Sequence, residues 1–349
     1  MSESSLVYVP YAELVEKATK CLLTAGMPAN LSQLGAEAIC TASLRGTDSH
    51  GIRLLPHYLA SISAGRIDPK AKLEFKQTTV STGILDAHHG LGHPAVAMAM
   101  DHAVALAKQV GVGFVTIKNS THCGAMAYYG LRAAARDMIG LAFTNATAKV
   151  KVFNAQEPFF GINPVCFTAP MADEAPFCYD AAPTIMSNNK IKIIKEQGGT
   201  LPPDVAADAS GEMTFDPTLA KMLLPLGGLV AGYKGYGMAM VVDILCSLLS
   251  EMPNGRQVST MYPVDGGTLG QRRYLGQLVG AIRIDGFTDV EQFKQRLQKT
   301  AEQVRGLAQA GNEAVMIPGD PEKRMQKKRS LEGIPVEREV WLKYLENSG

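Results

Sequence analysis

The run Val112-Gly113-Phe114-Val115-Thr116-Ile117-Lys118-Asn119-Ser120-Thr121-His122-Cys123-Gly124 decides the fold. An apolar stretch, Val112 to Ile117, hands over at a histidine to an alanine-rich helical stretch, Ala125 to Ala135. A strand that feeds a helix presents its last residues at the rim of the sheet, and open α/β sheets bind ligands there. Outward from this run the alternation continues. Pro94 is placed for a helix start and is followed by the helical run Ala95 to Gln109; after the histidine loop come a helix, Ala125 to Arg136, and a strand, Ile139 to Thr144. Val80, Thr82, Ile84 and Asp86 add an earlier strand, and Leu278 to Ile284 a later one. The pattern predicts an α/β sheet with at least some parallel pairing.

Both chain ends read as helical. Leu14, Ala18, Cys21, Leu22 and Ala25 share one helical face that ends at Gly26; Asn30 with Gln33 offers a capping box for the next helix. Thr288 with Glu291 offers another near the C-terminus, ahead of a face carrying Val290, Phe293, Leu297, Ala301, Val304 and Leu307. The expected organisation is therefore a helical domain built from residues 1–75 and 288–349, with an α/β domain, 76–287, inserted between. The strongly apolar helix Tyr236 to Ser250 is expected to be central.

At 349 residues, 46% hydrophobic and 19% charged, the chain has a globular balance, not that of a disordered one. A net charge of +1 gives no electrostatic footprint for nucleic acid or an acidic membrane. Six cysteines without a C-x-x-C pair read as thiols of a reducing compartment. The polar stretch Met1 to Tyr8 has no signal-peptide core, and Met238 to Leu249, interrupted by Asp243, is too short for a bilayer. A cytoplasmic protein with neither membrane nor nucleic-acid partners is expected.

Two histidine loops carry the chemical signal. His122 follows a strand, at the start of a helix whose dipole disfavours the imidazolium; a neutral imidazole can take a proton from an alcohol and return it. His50 stands in Asp48-Ser49-His50-Gly51, where a carboxylate or hydroxyl could orient its ring. Each equally suits a capping segment. His88, His89 and His93 have no carboxylate or cysteine pair at ligand spacing and read as surface-loop residues; no metal site is expected. Gly90-Leu91-Gly92 and Gly111-Val112-Gly113 fall short of a dinucleotide fingerprint. Lys234-Gly235-Tyr236-Gly237 opens an apolar helix, where a lysine can meet a phosphate or carboxylate. The acidic groups of Pro318-Gly319-Asp320-Pro321-Glu322 could accept ribose hydroxyls.

Together with Asn119 to Gly124, Gly161-Ile162-Asn163-Pro164, Asp180-Ala181-Ala182 and Lys190, these motifs span nearly the whole chain. In their order and spacing they resemble the malate/L-lactate dehydrogenase type 2 family of NAD(P)-dependent oxidoreductases. The stretch Gly255 to Tyr262 with Leu275 to Leu278 looks most like its ureidoglycolate dehydrogenase subfamily. The resemblance implies a non-Rossmann mixed sheet for the cofactor domain, an added helical domain, a homodimer, and either NAD or NADP, NAD being favoured. It implies a hydride transfer between that cofactor and a small 2-oxo or 2-hydroxy acid of the malate, lactate, sulfolactate or ureidoglycolate type. A cyclic imino acid reductase, or a homologue that binds cofactor without catalysis, is the alternative. His122 and His50 would be catalytic and Ser49 would meet the substrate. Asp180, Ala181, Ala182, Lys234, Gly235, Gly319, Asp320 and Ala146 would contact the cofactor. The chain departs from the family at two places. Many members carry an arginine four residues after the first histidine; here that position is Leu54, and Arg53, the candidate carboxylate partner, stands one place early, a helical rotation of ~100°. The usual Asp-Met-Ala-Thr-Ser run reads Asp180-Ala181-Ala182-Pro183-Thr184, and Pro183 removes a backbone donor.

Overall fold

The computed structural model describes residues 5–262 and 268–346; positions 1–4 of the polar N-terminal stretch lie outside the described residues. A short strand β1 (Leu6–Val9) leads into three helices, α1 (Tyr11–Thr24), α2 (Ala29–Leu44) and α3 (Leu55–Ser63). Then come β2 (Glu74–Gln77), β3 (Thr82–Asp86), α4 (Gly92–Val110), β4 (Val112–Ser120), α5 (Ala127–Ala134) and β5 (Met138–Thr144). The middle of the chain holds β6 (Val150–Lys151), β7 (Pro158–Phe160), β8 (Val165–Ala169), β9 (Phe177–Ala181), α6 (Asn188–Glu196), β10 (Ala206–Ala207) and β11 (Met222–Leu223). Helix α7 (Gly228–Asp243), β12 (Leu275–Arg283), α8 (Val290–Arg305), α9 (Asp320–Glu332) and β13 (Ile334–Glu337) follow.

The main sheet has seven strands in the order β2-β3-β4-β12-β5-β8-β9. Only β3 and β4 pair in parallel; every other neighbour is antiparallel. The fold is thus a mixed α/β sheet. Strand β12 sits between β4 and β5, antiparallel to both, so the β4–α5–β5 crossover steps over one strand. The side-chain alternation of these central strands sorts two layers. Val115, Ile117, Ala142, Val279 and Ala281 pack under α4 and α5. Phe114, Phe143 and Leu278 face the other way, onto Val242 of α7 and Cys246 in the helical turn that follows it.

The two chain ends meet. Strand β1 pairs with β13, and Ile334, Val336, Val340 and Leu345 enter the same apolar cluster as Leu14, Leu22, Ile39 and Leu55 of α1 to α3. Helix α8 packs elsewhere: Ala301 joins Met171 and Ile317, with Phe177 of β9 against them.

Several local expectations need correction. Helix α2 begins directly after Pro28 without a side-chain cap, so Asn30 lies inside it. The cap of α8 is Asp289, whose Oδ1 accepts from Gln292 N at 2.8 Å, one residue beyond Thr288. Helix α7 is not central. It presents Gly232, Gly235, Ala239 and Val242 inward, while Val230 is 85% and Val241 54% exposed. With the turn that continues it, the segment Gly228–Leu248 is 21 residues, long and apolar enough by length and composition to cross a bilayer, so the shortness expected of it does not hold. Two of the three supposed surface histidines are interior: His89 is buried, and His93 on α4 is 1% exposed. Among the described residues no group of three histidines, cysteines or carboxylates is placed to hold a metal ion. All six cysteines are buried thiols.

Candidate active site

Strand β4 ends at Ser120, and α5 starts only at Ala127, so His122 occupies a loop five residues ahead of the helix. The helix N-terminus is taken by another group: Asp180, at the end of β9, accepts from Ala127 N at 2.8 Å. Burial drives the Asp180 carboxyl up to about 6 despite that bond. The dipole argument for His122 therefore fails, but its conclusion survives by a different cause. Burial first, then the neighbouring His50, His93, Arg273 and His57, hold the His122 imidazole well below its ordinary value. It is neutral at pH 7.

The ring is fixed by a residue of α3 that no sequence motif marks. Tyr58 on α3 is 1% exposed, and its hydroxyl stands 2.8 Å from His122 Nδ1. A buried tyrosine needs a partner for its hydroxyl, and that is the signal its apolar surroundings hid. Nε2 of His122 has no hydrogen-bond partner among the described residues. His50 stacks beside it, with ring centroids 5.6 Å apart and planes 23° apart. Of the two orienting groups expected for His50, the hydroxyl serves: Ser49 Oγ lies 2.8 Å from His50 Nδ1. Asp48 is held instead by Arg329, through a two-pronged pair at 2.6 and 2.9 Å. Burial keeps His50 below its ordinary value as well.

His50, Ser49 and Gly124 form one end of a cleft of about 570 Å³, within the range of cofactor pockets. Asp180, Ala181 and Ala182 line it, as do Gly319, Pro321 and Glu322 on the far wall. Small side chains dominate this lining, and Gly319 has φ +96° at the start of α9; a Cβ there would lie 3.0 Å from the Cys178 carbonyl oxygen. Arg45 also lines the cleft; it is buried, and among the described residues its side chain makes a single hydrogen bond, a long contact of 3.4 Å to Gln326. The concave small-residue wall and the buried cation fit a dinucleotide. The sequence carries no sign of Arg45; of the two acidic groups expected to meet ribose hydroxyls, Glu322 lines the cleft and Asp320 does not.

Five expected contacts are placed otherwise. Asp320 is engaged by Arg305 at 2.6 and 2.9 Å and by Ile317 N at 3.1 Å, so its oxygens are spent on the α8–α9 junction. Ala146 N donates to Asn163 Oδ1 at 3.0 Å, outside the cleft. Gly235 lets α7 close on a loop: an added Cβ would come within 2.3 Å of Leu226 N, and Gly235 N donates to Leu226 O at 3.1 Å. Lys234 is exposed over the Tyr233 ring, and neither it nor Gly235 reaches the cleft within one chain. Arg53 lies in a separate groove with Leu6 and Val336 and faces Glu337 at 3.9 Å. The one-residue displacement puts it in a groove that neither His50 nor His122 lines, while Leu54 packs against the helical cluster.

The malate/L-lactate dehydrogenase family model matches residues 9–344. The chain belongs to this family. It is an NAD(P)-dependent oxidoreductase of small hydroxy and oxo acids. The ureidoglycolate dehydrogenase (NAD(+)) of Escherichia coli is 32% identical over 321 residues, 92% of this chain and 90% of that protein. Malate dehydrogenase from Entamoeba histolytica superposes with a TM-score of 0.89 at 27% identity, covering 97% of this chain and 98% of the other. Sulfolactate dehydrogenase from Methanocaldococcus jannaschii gives 0.89 at 27%, covering 97% and 96%.

Proposed function

We propose that this family member interconverts a small 2-oxo acid and its 2-hydroxy acid, of the malate, lactate, sulfolactate or ureidoglycolate type, with His122 exchanging the hydroxyl proton. The observation that carries this reading is a half-buried, neutral imidazole held at Nδ1 by Tyr58, with Nε2 unpartnered among the described residues and His50 stacked against it. When bound, the nicotinamide supplies or accepts the hydride. In the oxidative direction His122 Nε2 takes the hydroxyl proton; in the reductive direction it returns that proton to the carbonyl oxygen. Tyr58 fixes the ring's tautomer and rotation. His50, set by Ser49, stands at the end of the cleft beside His122, and it screens the reacting atoms from water.

Within the cleft, Ala181 and Ala182 give a flat wall and Arg45 a buried cation for the cofactor phosphates. The Glu322 carboxylate suits a ribose 2′-hydroxyl better than a 2′-phosphate, which supports NAD over NADP. A homodimer fits the apolar outer side of α7: a second copy covering it would bury Leu229, Val230, Tyr233 and Val241. A cytoplasmic location accords with the six buried thiols.

The test is a panel of 2-oxo acids with NADH and NADPH, followed by absorbance, on the wild type, His122→Asn and His50→Asn. His122→Asn is expected to lower kcat about 100-fold or more while NADH affinity stays within twofold. Unchanged turnover in that variant removes His122 from the role and leaves it to His50.

A further inference from the structure

Arg273 lies two residues before β12 and is 4% exposed. Its Nη2 donates to Ser259 O at 2.8 Å and to Thr147 Oγ1 at 3.2 Å, whereas its buried Nε donates to nothing among the described residues. Arg66, also buried, stands beside it, with Nε 2.9 Å from Gln271 O and Nη1 2.5 Å from Met261 O. Among the described residues no carboxylate forms an ion pair with either guanidinium. Each charge opposes the other, and burial pushes Arg273 down to about 10. Two adjacent cations in a protein interior are costly unless an anion answers them. Holding two backbone or hydroxyl acceptors does not require a charge; an amide would serve.

The place of Arg273 is decided by strand register. Leu275 pairs with Ser120, and Gln277 Nε2 donates to Thr121 O at 3.3 Å, so the approach to β12 runs beside the His122 loop. The Arg273 charge is felt at His57, Tyr58 and Cys123 as well as at His122. The same region holds further unpaired polar atoms, both ring nitrogens of His93 and Oε1 of Gln277.

We propose that Arg273, backed by Arg66, is the subsite that receives the substrate carboxylate and sets the carbonyl carbon against His122, in place of the arginine missing at position 54. The proposal rests on the hydride-transfer reading above and deepens it. A planar guanidinium with an unspent Nε offers the directional donors that a carboxylate takes in pairs. The subsite binds the carboxylate that adjoins the reacting carbon, and it gives a chain with a displaced Arg53 a carboxylate anchor of its own.

The experiment uses the full chain with NADH bound and oxamate, an unreactive carboxylate, as probe in calorimetry. Wild type is expected to bind oxamate, Arg273→Gln to bind it about 100-fold more weakly, and Arg273→Lys about tenfold more weakly, each with NADH affinity within twofold of wild type. NADH affinity reports that the variants fold, and Arg66→Gln, expected to weaken oxamate about tenfold, is the second variant. A neutral ester of a 2-oxo acid is expected to show the same KM in wild type and Arg273→Gln; a merely structural arginine would change both substrates alike. Oxamate affinity within threefold of wild type in Arg273→Gln, or no oxamate binding by the wild type, overturns the proposal. Asp265 lies outside the described residues; a tenfold gain in oxamate affinity in Asp265→Asn would show that an internal carboxylate already answers the arginine, and also overturns it. Arginine-dependent oxamate binding without turnover of any 2-oxo acid would sink the functional reading and leave the subsite. Turnover insensitive to Arg273 would do the reverse.

Discussion

The hydroxyl of Tyr58 holds His122 Nδ1 at 2.8 Å and leaves Nε2 for chemistry. Removing it in Tyr58→Phe keeps the ring in the core but frees the imidazole to rotate. The expected result is a 10- to 100-fold fall in kcat, with NADH affinity and melting temperature little changed; a kcat within twofold of wild type would remove the tyrosine from the mechanism. The depressed His122 value has a kinetic consequence. Oxidation needs the neutral ring, which persists well below pH 6.5, so kcat/KM for the hydroxy acid is expected to stay level from pH 8 down through 6.5 and to fall only in more acidic buffer. A profile that halves near pH 6.5 would assign the proton to a histidine of ordinary acidity. Both histidines and Ser49 were legible as single residues in glycine-flanked loops. Tyr58, Arg45 and Arg273 were not, because a tyrosine in an apolar helix and arginines at a helix end or in a loop carry no local mark of what they will face.

At the scale of elements, α7 shows both the reach and the limit of pattern reading. Its uniform apolarity was taken as a sign of burial, and the helix exists, but it packs by its glycines and leaves larger apolar side chains outward. Gly235→Ala would force a Cβ to within 2.3 Å of the Leu226 backbone and is expected to cost about 2–3 kcal/mol, measured by chemical denaturation; a loss under 0.5 kcal/mol would mean the loop yields. On the outer side, Val230→Glu with Val241→Lys is expected to turn a dimer into a monomer by light scattering, as charge enters an apolar contact. A monomeric wild type refutes that interface. The β4–loop–α5 unit was readable from its change of periodicity, as were β5 and β12. The insertion of β12 between β4 and β5 was not, since nothing local in a strand names its neighbours.

For the molecule as a whole, pH couples to stability through its interior histidines. His50, His57, His89, His93, His102 and His122 are all held below 6.5 in the fold, chiefly by burial, with His57 at about 4 and His93 at about 3. Below pH 6.5 the unfolded chain binds protons that the folded chain refuses, so stability is full above 6.5 and drains as pH falls toward the folded values. Asp180, raised to about 6, works in the opposite sense over a narrower span. The melting temperature is expected to drop by several degrees between pH 7 and pH 5 in calorimetry; a level curve would show that these rings are reached by solvent. The sequence by itself determined the family, the alternation of strand and helix, and the two histidine loops, because periodicity, glycine spacing and motif order are local and survive in one dimension. Tertiary structure alone decided which nitrogen of His122 is held, why Arg53 is out of reach, and how Asp180 comes to cap α5. It also set buried Arg273 beside the His122 loop, since each of these depends on which distant strand or helix packs against which, and on how much water that packing excludes.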